Sequence, residues 1–272
     1  MGRYQLTATT NVLELHDGQL DGIVAAVDRL VISIDGMHER FASIRGAKLE
    51  GVLDGIDRLN RLKAKRASGL PQLALQLVVS RDSIDDIFRM VDLAHALNVH
   101  VLMVVNLIPQ TPENAQKILY TRYENRDMAV LFKKLSTYAG RKSVSLQLPH
   151  YELRTERRCN FVEGDATLVG ADGGVFPCYR LSHSYREYVF GRGKTVLKHS
   201  FGNVRQQRLG DIWESRAYAD FRHTVRNNLY PSCTDCDLAD GCAMVRDTAS
   251  DCYAGAPSCA DCLWARKIAY CP

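Results

Sequence analysis

Nine cysteines hold most of the chemical potential of this 272-residue sequence, and they are unevenly placed: none precedes Cys159, and seven fall between Cys233 and Cys271. Thiolates are soft ligands that select iron-sulfur clusters or zinc over hard cations. Cys233, Cys236 and Cys242 stand as Cys-x2-Cys-x5-Cys, and Cys252, Cys259, Cys262 and Cys271 follow in the tail. Disulfides fit poorly, because the count is odd, no export signal is evident and the cytosol keeps thiols reduced. One tetrahedral zinc would be satisfied by Cys233, Cys236, Cys242 and Cys252, but would leave five thiols without a role. Two 4Fe-4S clusters with four thiolates each would use eight of the nine. Both metals stay open at this point, with iron-sulfur accounting for more of the thiols.

Composition narrows the setting. Thirty-five basic and 31 acidic residues leave a formal charge of +4, and no dense Lys/Arg stripe interleaves with aromatics, so nucleic acid is not an expected partner. No apolar run approaches the roughly 20 residues that cross a bilayer, and no membrane contact is expected. The opening "MGRYQLTATTN" lacks the charged-then-apolar layout of a signal peptide, giving a cytoplasmic expectation.

The cysteine-free half must position whatever else the protein binds. Short β-branched runs at 4–11, 29–36, 72–80, 100–108 and 143–149 alternate with helical stretches. Examples are Val52, Leu53, Ile56, Leu59 and Leu62, then Ile84, Ile87, Phe88, Val91 and Ala94, with a further helix over 124–139. Strands that are apolar almost throughout, separated by helices, predict an α/β fold with a parallel sheet buried on both faces. Ligands of such sheets sit at the carboxyl ends of the strands, which points to Thr9, Thr10, Asn11 and Asp35, residues that equally suit ordinary turns.

The string "TTN", then "VISIDG", then Arg45-Gly46 ten residues after Asp35, resembles the middle of a radical S-adenosylmethionine (SAM) barrel. The resemblance implies a partial (β/α)6-type barrel over 1–150. Ser33 and Arg45 would help hold the SAM carboxylate, and Asn11 and Asp35 would line the same cavity. Val12 stands where that family usually carries glycine. The family's Cys-x3-Cys-x2-Cys, which would bind a third 4Fe-4S cluster and SAM, occurs nowhere in the sequence. The expectation is a chain that begins mid-barrel, as part of a longer or split protein, and is inactive alone.

Residues 151–272 resemble the SPASM extension of the same enzymes, which carries two auxiliary 4Fe-4S clusters. Cys159, thirteen residues, Gly173, four residues and Cys178 match its first part, and Cys233, Cys236 and Cys242 its second. Arg246 then occupies the next cysteine slot, with Cys252 the nearest thiol beyond. The resemblance implies that the ligands come from Cys159, Cys178, Cys233, Cys236, Cys242, Cys252, Cys259, Cys262 and Cys271, the tail folding back to complete clusters begun at Cys159 and Cys233. "FGNV" before an Ile-Trp helix is a second family mark, with Leu209, Ile212, Trp213 and Phe221 expected to pack the extension against the barrel. Asp172 is expected in a hairpin turn, and His183, Tyr185 and Tyr188 on a surface loop.

The tail segments "PSCADCLWAR" and "CP" are similar to radical SAM maturases associated with tungsten-containing oxidoreductases. That resemblance implies such an oxidoreductase as client, SAM as cosubstrate of the whole protein and a ferredoxin or flavodoxin as electron donor. Tyr179 after Cys178 sets the chain apart from sulfatase maturases, which carry an acidic residue there. A peptide-modifying SPASM enzyme and a non-enzymatic iron-sulfur or zinc scaffold remain as alternatives.

Overall fold

A computed structural model describes residues 5–270, whose contacts divide into two compact units. The first runs to Leu107, resumes at Asn125–Pro149 and takes in Tyr270; the second comprises Ile108–Glu124 and His150–Ala269. Two segments depart from a simple cut at residue 150. Tyr120 and Ile118 pack with Val189, Phe190 and Leu263 in the second unit, while Tyr270 packs on Val31, Ala74 and Met103 in the first. Apolar side chains, not chain order, decide which core a segment joins.

The first unit is an α/β layer. Its strands are β1 (Thr7–Thr10), β2 (Arg29–Ser33), β3 (Gln72–Val79), β4 (Val101–Asn106) and β5 (Ser145–Gln147). They lie in chain order, every pair parallel, with Thr9 opposite Val31, Leu75 opposite Leu102 and Leu102 opposite Leu146. Sequential order means that each crossover advances the sheet in one direction, as in the wall of a barrel, and all carboxyl ends share one rim. Helices α1 (Asp17–Ala26), α2 (His38–Arg45), α3 (Leu49–Lys65), α4 (Ile87–Ala96), the short α5 (Pro112–Ala115) of the second unit, and α6 (Arg126–Arg141) punctuate the strands. Leu49, Val52, Ile56 and Leu59 form the buried stripe of α3, and Met128, Phe132, Leu135 and Ala139 that of α6. His16 starts α1 through a capping box with Gln19.

In the second unit, β6 (Leu168–Val169) and β7 (Gly174–Phe176) form a hairpin. Its turn is closed by Asp172, whose carboxylate accepts from the Gly174 amide at 3.0 Å, and by Gly173 at φ +83°. A second hairpin pairs β8 (Tyr185–Val189) with β9 (Arg192–Val196), and β10 (Gly202–Asn203) adds to β7. Helices α7 (Asn160–Glu163), α8 (Leu209–Glu214) and α9 (Arg216–Arg226) complete it. Ile212, Trp213 and Phe221 pack with Val175, Leu181 and Tyr218 in this unit's own core, where the Phe201 and Tyr218 rings stack at 4.2 Å. Leu209, expected to pack, is exposed at the start of α8. Tyr185 and Tyr188 lie on strand β8, not on a loop, whereas His183 is exposed just before it.

Candidate metal centre

Four thiols from three distant segments line one cavity. Cys159 caps α7, Cys178 follows β7, and Cys259 and Cys262 flank the turn Cys-Ala-Asp-Cys; Phe161, Val162, Pro177, Leu181, Phe221 and Trp264 wall them in. Each of the four thiols is pushed above the ordinary cysteine range, first by burial and then, in three of them, by the charge of a neighbouring thiol. Cys159 rises to about 11 and Cys178 to about 12.

Arg180 lines the same cavity and is itself buried, and its Nη1 has no acceptor among the described residues. A buried cationic donor with an unmet hydrogen bond beside four thiols fits an anionic occupant with acceptor sulfurs. Tetrahedral zinc, with bonds of about 2.3 Å, would draw its sulfurs to within about 4 Å of one another. Among the described residues, no three His, Cys, Asp or Glu side chains are gathered closely enough to hold a single ion. A 4Fe-4S cube would take one thiolate at each of its four irons, and four thiols line this cavity.

The second cysteine group is shallower. Cys233 is buried and packs with Val245, Ala260 and Cys242, whereas Cys236 and Cys252 are exposed. The Cys233 thiol is raised to about 11 by burial, then by Asp261, and Cys252 lies near enough to add to the shift. Cys252 thus stands near Cys233, while Arg246 occupies the cysteine slot of the sequence pattern. Arg266 fixes the segment that carries Cys233 by donating to Asp235 at 2.7 Å, to Thr234 at 3.0 Å and to the Ser232 hydroxyl. Cys271 lies outside the described residues.

Between the groups runs a buried ionic network that sequence reading did not find. Arg180 donates to Glu187 at 2.5 and 3.1 Å and to Asp261 at 3.3 Å; Lys194 donates to both Asp261 oxygens at 2.9 and 3.0 Å, and Arg192 at 3.2 Å. Tyr185 donates its hydroxyl to Glu187 at 3.1 Å. The partners are separated by up to 81 positions, so no local spacing signals them.

At the strand ends of the first unit, Asp35 and Arg45 come together. Arg45 grips one Asp35 oxygen with Nε and Nη2, both at 2.5 Å, while the other oxygen accepts from the Val78 amide at 3.0 Å. The guanidinium expected to hold a carboxylate thus holds one from within the chain. Ser33 closes β2, half-buried, and Asn11 is exposed just past β1, its side chain accepting from the Leu13 amide at 3.1 Å. Val12 adopts φ +50°, the left-handed region that glycine enters freely and a β-branched residue enters under strain. Its side chain is nonetheless buried, and a Cβ at Gly55 of α3 would stand 2.6 Å from the Val12 carbonyl. Gly55 therefore lets α3 approach this turn closely.

Comparison with known proteins shows the family. Residues 159–237 match the SPASM iron-sulfur cluster-binding domain. The chain is 38% identical over 272 residues to the tungsten-containing aldehyde ferredoxin oxidoreductase cofactor-modifying protein of Pyrococcus furiosus, covering 99% of this chain and 76% of that protein. It is 25% identical to the PqqA peptide cyclase of a Methylobacterium species over 86% of its length and 60% of the cyclase. The Streptococcus suis SuiB structure with bound S-adenosylmethionine superposes with a TM-score of 0.53 at 15% identity, covering 88% of this chain and 54% of SuiB. The chain therefore spans a little over half to about three-quarters of the length of these proteins. Its sequence and its fold place it in one family: the chain belongs to the radical SAM proteins with a SPASM extension, alongside the tungsten oxidoreductase cofactor-modifying protein.

Proposed function

We propose that this chain is the cluster-bearing part of a maturase that modifies the cofactor or active site of a tungsten-containing oxidoreductase. The observation that carries this reading is the 38% identity extending over 99% of the chain to a protein of that description. Cys159, Cys178, Cys259 and Cys262 would hold one auxiliary 4Fe-4S cluster, and Cys233, Cys236, Cys242 and Cys252 a second, leaving Cys271 as the ninth thiol. When bound, such clusters supply one-electron transfer at low potential. The chain's own residues do the rest: the apolar wall of Phe161, Val162, Leu181 and Phe221 excludes water from the first site, and Arg266 fixes the loop of the second.

SAM binding would fall to the strand-end rim of the first unit, with Ser33, Asp35, Arg45 and Asn11 as its candidate residues, of which Asp35 and Arg45 are in contact. Because Arg45 is already held by Asp35, its role here is to shape the rim rather than to offer a free fork. Every cysteine of the sequence lies at or beyond position 159, so the segment 1–158 provides no thiolates for a third cluster. Reductive SAM cleavage by the 272 residues alone is therefore not expected. A ferredoxin or flavodoxin would serve as electron donor to the whole protein, and the setting would be cytoplasmic; no helix among the described residues is long and apolar enough to cross a membrane.

The test is anaerobic incubation of the purified chain with SAM and dithionite, with and without the tungsten oxidoreductase as client. Binding of the client without 5'-deoxyadenosine supports the reading. Turnover by the chain alone would overturn the inactive assignment, and absence of client binding would overturn the choice of client. A peptide substrate is the second reading, favoured by the similarity to a peptide cyclase; selective binding of a short peptide in place of the oxidoreductase would establish it.

A further inference from the structure

The buried ionic network touches both cysteine groups. Arg180 lines the enclosed cavity of Cys159, Cys178, Cys259 and Cys262. Asp261, fully buried, sits inside the Cys259-Ala260-Asp261-Cys262 turn and is held by Arg180, Lys194 and Arg192. One residue earlier, the Ala260 carbonyl accepts from the Cys233 amide at 2.9 Å, which fastens the second group to the same turn. Arg192 donates at 2.9 Å to the carbonyl of Val245, a residue packed against Cys233. Arg180, Arg192 and Lys194 against Glu187 and Asp261 leave one net positive charge buried between the groups.

Buried cations and anions in exact balance would serve packing alone. Here two guanidinium nitrogens, Arg180 Nη1 and Arg192 Nε, remain without acceptors among the described residues, the first on a side chain that lines the enclosed cavity and the second on one that bonds to Val245. Water is excluded from Arg180, Glu187, Lys194 and Asp261, so their charges are little screened. The potential of a thiolate-held cluster responds to nearby charge, hydrogen bonds to its sulfurs and solvent exposure. We propose that Arg180, Lys194 and Arg192, joined through Asp261, are positioning residues that set the relative electron affinity of the two cysteine sites. Arg180, in the cavity wall, acts chiefly on the enclosed site, and Lys194, whose charge reaches Cys233, chiefly on the other. A cation beside a site favours the added electron, so removing it lowers that site's midpoint; removing the Asp261 charge raises both. This rests on the reading of both groups as 4Fe-4S sites.

The experiment uses the full 272-residue chain, reconstituted with iron and sulfide and titrated with dithionite, which delivers one electron to each site without making or breaking a bond to carbon. Iron and sulfide are measured first: a wild-type chain that binds neither sinks the cluster reading itself, separately from this proposal. Cys236→Ser, which leaves the second site incomplete, assigns the paramagnetic signals to the two sites. With both sites loaded, Arg180→Gln is expected to lower the midpoint of the enclosed site by more than that of the other. Lys194→Gln is expected to show the reverse order, and Arg180→Lys, which keeps the charge, to stay near wild type. Should Arg180→Gln fail to load the enclosed site, Lys194→Gln and Asp261→Asn decide alone, the first lowering the midpoint of the Cys233 site and the second raising it. Midpoints that stay fixed in every loaded variant, or that move equally at both sites, overturn the proposal.

Discussion

The two cysteine groups are made of the same ligand type on the same unit, yet they are built differently. The group of Cys159, Cys178, Cys259 and Cys262 is assembled from three distant segments inside an apolar wall, and burial dominates the behaviour of every thiol in it. The group around Cys233 is assembled mainly from one loop, is fixed by Arg266 and leaves Cys236 and Cys252 at the surface. Non-local assembly and enclosure make the first site part of the fold, because a metal that bridges distant segments contributes its binding energy to folding. Local assembly and exposure make the second site the one that exchanges with solvent.

The contrast breaks first at the ligands. Cys178→Ser is expected to remove the enclosed cluster, about half of the bound iron, and to lower the melting temperature of the reconstituted chain well beyond what Cys236→Ser does, as scanning calorimetry with iron analysis would show. Equal loss of stability from the two variants would erase the distinction between the sites. Removal of metal sharpens it next: a chelator added to the loaded chain should strip iron in two phases, the fast half drawn from the group with Cys236 and Cys252, as alkylation of the freed thiols and mass mapping would reveal.

Proton release provides a third comparison. Ligating cysteines must lose their protons, and raised thiol pKa values, about 11 at Cys159 and about 12 at Cys178, mean that these protons are held at neutral pH. Iron affinity of the enclosed site should therefore rise as pH goes from 7 to 9, measured by competition with a chelator in Cys236→Ser. A flat profile would mean that the thiols are already ionised.

Perturbations of the first unit act as the reference, since they should lower stability without touching iron. Asp35→Ala takes the partner from Arg45 and the acceptor from the Val78 amide, at a cost of about 1–3 kcal/mol in denaturant unfolding. Gly55→Ala forces a Cβ against the Val12 carbonyl and should cost about 1–3 kcal/mol. Val12→Gly is the smallest: relief of about 1–2 kcal/mol of left-handed strain opposes the loss of about 1.5–3 kcal/mol from burying valine. A net change of about 1 kcal/mol is expected. Iron loss in any of the three would show that the units are not independent.

The inner strands were legible because a parallel sheet buried on both faces writes itself as continuous apolar runs: β4 buries five of its six residues and β2 its three central ones, whereas the edge strands β1 and β5 stay exposed or half-buried. The hairpin at Asp172 was legible for a local reason as well, since Asp-Gly-Gly fits its turn. Position 12 is more instructive. The pattern marked Val12 as a departure, and the structure finds there the left-handed backbone that a glycine would favour, with Gly55 making room opposite. Which thiols share the enclosed cavity was not legible from spacing: Cys259 lines it together with Cys159 across a hundred residues, and only packing decides that. The Arg180, Glu187, Lys194 and Asp261 network was invisible, because in sequence a buried charge looks like a surface one. Leu209 misled for the converse reason, an apolar residue left in solvent at a helix start.

The account stands on two 4Fe-4S sites of unequal enclosure in one unit. The most direct measurement is iron, acid-labile sulfide and zinc on the anaerobically purified full chain, with Mössbauer spectroscopy of the 57Fe-reconstituted protein. About eight irons and eight sulfides per chain, in two spectroscopically distinct clusters, are expected. One zinc with no sulfide would contradict it.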